Sequence, residues 1–277
     1  MASFSAGDGT PLFLHEFPAP SDPRAWILVV HGYAEHGGRY DHVAKALSAK
    51  GIAMVAPDLR GHGRSAGVRG HVNRFDDYHY DLGAALSEVR SRANKKPIFL
   101  FAHSMGALAS MHWLLKGAGK DVRGLVMSSP YLGLALEVPE VLKLLGRAMS
   151  GLIPTFSRPA PIRGVDVARD PEFIAAHGRD PMNHGVATAR WFTEASKAME
   201  HVKRDAGLLT LPTLLLYAGH DAVADARETE RLATSLRMSD KTIRRFDAAH
   251  HELVHEPPSE REEVFEAIST WILARAG

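Results

Sequence analysis

Apolar and polar positions follow two rhythms along this chain, and the switches between them mark out its elements. Short apolar, β-rich runs predict buried strands at Ala25–Val30, Gly51–Ala56, Pro97–Ala102, Val122–Met127, Leu211–Tyr217 and Lys241–Phe246. Between them the pattern stretches to the helical period. Gly38–Lys50 reads as a helix, and so does Met105–Lys116, which Gly117 and Gly119 bring to an end. Phe75, Tyr78, Leu82, Leu86 and Val89 recur at spacings of three and four, the mark of an amphipathic helix. Val264, Phe265, Ile268, Trp271 and Ile272 form the apolar face of a last helix. Strand and helix in alternation predict an α/β fold, a mostly parallel central sheet covered by helices on both faces.

The rhythm breaks from Tyr131 to about Gly185. No convincing strand is visible there, and Pro139, Pro154, Pro159, Pro161, Pro171 and Pro181 punctuate short helical pieces. The chain therefore divides into a core, residues 1–130 and 186–277, and an inserted helical cap, residues 131–185. The most apolar part of the cap is Leu134–Ile153. Glu137, Glu140, Lys143 and Arg147 interrupt it at spacings of three and four, so it reads as an amphipathic helix with Pro139 near its first turn, not a membrane span. Its apolar face either packs on the body, or forms a lid that lines an acyl pocket and touches a membrane or micelle surface.

Composition narrows the field further. A length of 277 residues suits one large domain, or one domain with an insertion. Charged residues make up 23% with a net charge of +1, and the basic ones are dispersed, which excludes a nucleic-acid footprint. The absence of cysteine removes disulfides, thiolate metal sites and a thiol nucleophile together. Residues Met1–Pro11 lack a basic cluster followed by an apolar stretch, so a cytoplasmic location is expected. The oligomeric state is not legible.

The chemistry centres on Ile98-Phe-Leu-Phe-Ala-His-Ser-Met-Gly-Ala107. An apolar strand runs straight into a helix, with Ser104 at the junction between small residues. Such a serine sits on a sharp, strained turn that lifts its Oγ above the sheet. The N–H of Met105 then lies at a helix N-terminus, suited to a developing oxyanion. Ala102 replaces the first glycine of the Gly-x-Ser-x-Gly pattern; being the next smallest residue, it should preserve the turn. The plain structural alternative is a serine that only caps the following helix.

An unactivated serine is a poor nucleophile and needs a histidine, which in turn needs a carboxylate. In this architecture the order is serine, then acid, then histidine. Asp221 follows the Leu211–Tyr217 strand; its rival Asp225 reads better as the cap of a helix starting near Ala226. After the last strand come His250, His251 and His255, and the first two both remain candidates for the base. His251-Glu-Leu-Val-His255 also spells a zinc-protease signature, which works only on a sustained helix. Pro257 and Pro258 oppose that, so no metal and no cofactor is expected.

Two loops complete the picture. His31-Gly-Tyr-Ala-Glu-His-Gly-Gly-Arg-Tyr40 follows the first strand and can aim the N–H of Tyr33 at the same point as that of Met105. Glu35, His36 and Arg39 in it are either a buried ion-paired set that holds the loop or polar groups that meet a substrate's head. Pro57–Ser65 is Gly-rich but lacks the ending of a phosphate loop and reads as a structural turn.

Taken together, the chain resembles the monoacylglycerol lipase and lysophospholipase branch of the α/β-hydrolase fold over nearly its whole length. The resemblance rests on His31–Tyr40, Pro57–Ser65, Phe75-Asp-Asp-Tyr78, Ala102-His-Ser-Met-Gly106 and Glu252-Leu-Val-His-Glu-Pro257. It implies Ser104, Asp221 and His251 as the catalytic triad, Tyr33 and Met105 as oxyanion donors, and 131–185 as the cap. The departures are Ala102 for the elbow glycine and Ala107 where a second glycine is common. The expected activity is cofactor-free hydrolysis of monoacylglycerols or similar single-chain lipid esters. Alternatives on the same machinery are a lysophospholipase, a small-ester carboxylesterase and a peptidase. A non-catalytic ligand-binding relative would show a broken triad, and a dehalogenase needs a carboxylate where Ser104 stands.

Overall fold

The computed structural model describes residues 2–135, 139–159 and 162–277; Glu137, Pro161 and the side chain of Lys143, named above, lie outside it. The chain opens with β1 (Ala2–Ser5) and β2 (Pro11–Glu16), an antiparallel hairpin that the hydrophobic pattern did not announce. Then follow β3 (Ala25–Val30), α1 (Asp41–Ser48), β4 (Ile52–Asp58), α2 (Asp77–Ala93), β5 (Ile98–His103), α3 (Met105–Leu115) and β6 (Val122–Ser128). The helix expected over Gly38–Lys50 divides into a 3-10 turn at Gly37–Tyr40 and α1.

The chain then leaves the sheet through α4 (Glu140–Leu152), β7 (Ser157–Pro159), α5 (Gly164–Val167), α6 (Pro171–Arg179) and β8 (Val186–Thr188). It returns by α7 (Ala189–Asp205), β9 (Thr213–Ala218), α8 (Ala226–Ser235), β10 (Lys241–Phe246) and α9 (Pro258–Leu273). The expectation of no strand in the excursion needs correction. Ser157–Pro159 pairs antiparallel with Val186–Thr188, a short ribbon where the outgoing and returning chain meet. Such a pairing depends on two segments far apart in sequence, and three exposed residues leave no alternation to read.

The main sheet has the order β1-β2-β4-β3-β5-β6-β9-β10; only the β1/β2 and β2/β4 pairs are antiparallel. Both faces are covered, so alternate residues of a strand enter different apolar layers. Ile27 and Val29 pack with α1 and α9, whereas Leu28 and Val30 pack with α2, α3 and α7. This explains why β3 is apolar at every position instead of every second one. Strand β3 lies between β4 and β5, so the sheet reverses its direction of growth there. The crevice beyond the carboxyl ends of β3 and β5 is where ligands of such sheets bind.

Pro139 stands at the N-cap of α4, where its fixed φ suits a helix start. The helix then turns much of its apolar stripe outward: Val141, Leu144 and Leu152 are 72%, 66% and 79% exposed. Among the described residues, no helix is long and apolar enough to cross a membrane.

Candidate active site

Ser104 sits between β5 and α3 with φ 50° and ψ −115°, a left-handed conformation that costs a non-glycine residue about 1–3 kcal/mol. Its surroundings hold it there. Its N–H donates to the Ser128 carbonyl at 3.0 Å, and its own carbonyl accepts from the N–H of Tyr131 at 3.1 Å and of Ala107 at 3.0 Å. Two residues on, a Cβ at Gly106 would meet the Val30 carbonyl oxygen at 2.1 Å. Glycine is therefore required for α3 to run against the end of β3. Ala102 needs no such allowance; it lies within β5, paired with Val30 and fully buried.

Around this serine the structure assembles side chains from the carboxyl ends of β9 and β10. His251 Nε2 lies 2.9 Å from Ser104 Oγ, and His251 Nδ1 lies 2.7 Å from Asp221 Oδ2. An ionised carboxylate only accepts, so Nδ1 carries the proton and the lone pair of Nε2 faces the serine hydroxyl. The other Asp221 oxygen accepts from the N–H groups of Val223 and Ala224, both at 2.8 Å. Burial alone would raise the Asp221 carboxyl, but the attraction of His251 and these hydrogen bonds outweigh it and hold the pKa low. For His251 burial pushes the other way and is again outweighed: the Asp221 charge raises its pKa above the usual histidine value. The Asp221 loop is further tied to the start of the excursion, where Asp225 N–H donates to the Gly133 carbonyl and Ala135 N–H to that of Val223.

The competing residues lie elsewhere. Asp225 caps α8, accepting from the Arg227 N–H. His250 donates its backbone N–H to Glu256 at 2.6 Å. Leu253–His255 is a single 3-10 turn, and His255 presents Nδ1 to Glu252 at 2.8 Å and Nε2 to the Arg39 carbonyl. The two imidazoles of the His-Glu-x-x-His segment thus face different partners.

Met105 is the first residue of α3, so its N–H has no acceptor within the helix. The Tyr33 side chain is anchored away from the serine. Its hydroxyl donates to the Val186 carbonyl at 2.7 Å, and its ring lies 3.9 Å from that of Trp191. Gly32 N–H donates to Glu35 Oε1 at 2.5 Å, and Tyr40 adds a hydroxyl to the same oxygen at 2.9 Å. Arg39 bonds Glu35 at 2.5 Å and Glu252 at 2.7 Å, with the Phe173 ring over its guanidinium. Arg39, its side chain 6% exposed, therefore bridges the buried Glu35 and Glu252, while all three border the cavity above Ser104. Glu252, Trp191 and Phe173 carry these contacts and were not marked by spacing. Only the position of Glu252 beside His251 gave any signal.

The cavity has a volume of about 230 Å³. Gly32, Ser104 and His251 form its floor; His177, Asn183 and His184 come from the excursion. Several bonds join that roof to the body: His36 Nε2 to Asp180 at 2.8 Å, His184 N–H to the Ala34 carbonyl at 3.0 Å, and Glu252 N–H to the Val167 carbonyl at 2.7 Å.

A doubly wound sheet with a serine elbow after its fifth strand and a histidine and an aspartate beyond its last two defines an α/β-hydrolase. The comparisons narrow this. The family described as serine aminopeptidase, S33 (Hydrolase_4) matches residues 21–258, and the chain belongs to it. It is 30% identical over 248 residues to the phospholipase YtpA of Bacillus subtilis, covering 88% of this chain and 93% of that protein. It is 28% identical over 276 residues to a monoacylglycerol lipase of Mycolicibacterium smegmatis, covering 98% and 96%. The crystal structure of Paleococcus ferrophilus monoacylglycerol lipase superposes with a TM-score of 0.85 at 28% identity, over 95% of this chain and 99% of that one. Within the fold, the chain falls in the monoacylglycerol lipase-like branch.

Proposed function

We propose that the protein hydrolyses monoacylglycerols or similar single-chain lipid esters through an acyl-enzyme on Ser104. It is a carboxylic ester hydrolase by family; the substrate and the residue roles are our reading. One observation carries it: the continuous line Asp221–His251–Ser104 opens into a cavity roofed by a segment whose outer helix exposes aliphatic side chains.

Ser104 Oγ attacks the ester carbonyl carbon while His251 Nε2 takes its proton. The carbonyl oxygen becomes an oxyanion, which the N–H groups of Tyr33 and Met105 stabilise. The intermediate collapses, the carbon–oxygen bond to the alcohol breaks, and His251 returns the proton to the departing alkoxide. Water then attacks the acyl-enzyme, giving its proton to His251, and the fatty acid leaves as Ser104 is reprotonated. Asp221 fixes the imidazole tautomer and balances the imidazolium charge. Glu35, Arg39 and Glu252 hold the oxyanion loop. His177, Asn183 and His184 face the polar alcohol, and residues 131–185 act as the cap. Contact of α4 with a membrane or micelle surface, and residence in the cytoplasm, belong to the same reading.

A panel of monoacylglycerols, lysophosphatidylcholine and p-nitrophenyl acetate, run with Ser104→Ala alongside, tests this. Monoacylglycerols should lead the panel. If monoacylglycerols of every chain length turn over far more slowly than p-nitrophenyl acetate, the substrate assignment fails. A preference for lysophosphatidylcholine would instead align the protein with its Bacillus relative.

A further inference from the structure

We propose a second site, remote from the ester chemistry, that binds one divalent transition-metal ion of the zinc type through His79, His112 and Asp76. His79 Nε2 and His112 Nδ1 lie 2.9 Å apart, and Asp76 Oδ1 lies 3.9 Å from the first and 3.7 Å from the second. Ligands bound to zinc at 2.0–2.1 Å in a tetrahedron are separated by about 3.3 Å. The three distances bracket that edge, so an ion fits after shifts of a few tenths of an ångström. Asp76 and His79 stand one turn apart at the start of α2, and His112 comes from α3.

The surroundings suit an ion. Phe75 meets the His112 ring edge to face at 5.4 Å and orients it. His201 of α7 packs its ring 4.8 Å from that of His112 and turns Nε2 to Asp205 at 3.4 Å, so water would fill the fourth coordination position. His79 Nε2 and His112 Nδ1 share one hydrogen bond, so an ion would take the place of that proton, which moves to the outer nitrogen of its ring and leaves both facing lone pairs for the metal. The place already collects positive charge: Lys116 Nζ donates to Asp76 Oδ1 at 3.0 Å and Arg74 to its other oxygen at 3.0 Å. The Lys116 side chain is 40% exposed and free to swing away, so its ammonium holds a position that a dication would take over.

A second grouping, His15, His36 and Asp58, lacks this character. Asp58 already accepts from His15, from Gly37 N–H and from Arg64 N–H, while His36 bonds Asp180 and Gly38 N–H. That set clamps loops and leaves no position for an ion. At Asp76, by contrast, an ion would join the start of α2 to α3.

Zinc titration of chelator-treated protein by calorimetry, with an indicator competition, tests the site without any ester assay. The expected result is one zinc per chain at micromolar affinity or tighter, and a thermal midpoint raised by about 5 °C at saturation. His79→Ala and His112→Ala should each weaken binding by at least about 30-fold and abolish the thermal gain. Lys116→Ala should tighten it several-fold by removing the competing cation. The proposal is overturned if wild-type protein takes up less than half an equivalent, if both histidine variants bind zinc like wild type, or if Lys116→Ala binds no more tightly.

Discussion

At the carboxyl edge of the sheet, Ser104, His251 and Asp221 are each held from several sides: by one another, by the backbone of Ser128 and Tyr131, and by the N–H groups of Val223 and Ala224. On α4, in the same chain and above the same sheet, Val141, Leu144 and Leu152 stand largely in solvent. One region ties each catalytic group down by several hydrogen bonds; the other leaves apolar surface uncovered at a cost in solvation. Chemistry needs atoms within a few tenths of an ångström, whereas picking up an aliphatic chain needs only oily surface near the entrance. The excursion itself contains both kinds. Its α5–α6 half is fastened to the body through Asp180, Val167 and His184; its α4 half is held from one side by α7, with Arg190 donating to the Ser150 carbonyl at 2.6 Å and Ala189 N–H to that of Phe156 at 2.8 Å, while its outer face stays bare.

The largest effects should strike the rigid region and ignore the nature of the substrate. Ser104→Ala should lower turnover by at least about 10⁴-fold on p-nitrophenyl acetate and micellar monoacylglycerol alike, while leaving vesicle binding intact. A loss confined to the lipid substrate would break the comparison. Asp221→Asn should cost about 10⁴-fold, and it should also move the pH profile. His251 must be neutral to accept a proton, and Asp221 raises its pKa. Activity therefore falls as pH drops through a value above that of an ordinary histidine. Removing the Asp221 charge shifts that acid limb to lower pH. Steady-state rates from pH 5 to 9 check the sign.

A smaller and selective effect is expected on α4. Val141→Gln with Leu144→Gln should reduce hydrolysis of micellar substrate about 10-fold, yet leave p-nitrophenyl acetate within two-fold and the thermal midpoint within about 2 °C, since both residues are exposed. Equal losses on both substrates would show that α4 shapes the site and not its approach. Smallest of all, Asp180→Ala frees His36 and one fastening of the α5–α6 half. Both side chains are partly solvent-accessible, so the stability change should stay within about 1 kcal/mol, read by denaturant midpoint. A few-fold rise in KM with kcat unchanged would accompany it.

Much of this was legible from local pattern. The run from Ile98 to Gly106 gives strand, turn and helix within nine residues, and the order Ser104, Asp221, His251 follows the strands that carry them. The amphipathic pattern of Leu134–Ile153 places Pro139 near the first turn; the helix in fact begins after it, at Glu140, and Leu134 instead bridges Ala224. What stayed hidden depends on distance along the chain. Tyr33 reaches Val186 across 153 positions and Arg39 reaches Glu252 across 213, and no spacing rule encodes such partners. The ribbon β7–β8 is three residues a side and β7 is exposed throughout, so burial wrote no alternation into it; the hairpin β1–β2 does alternate, with Leu12 and Leu14 buried, but its runs of four and six residues are too short to stand out. The choice between His250 and His251 likewise turned on the family likeness, because two adjacent residues share every local cue and differ only in which way the loop points them.

Strand β10 closes one side of the sheet, and among the described residues its only strand partner is β9. Its outer row of amides and carbonyls is a template onto which a further extended chain could zip, including that of a sister molecule. The residues there answer that hazard. Arg244 and Arg245 stand exposed and reach Glu263, Glu230 and Asp247, while Ile243 is the one large apolar side chain left in the open. An incoming strand would have to strip water and partners from two guanidinium groups at once. The paired charges at this border therefore disfavour edge-to-edge association of one copy of the sheet with another.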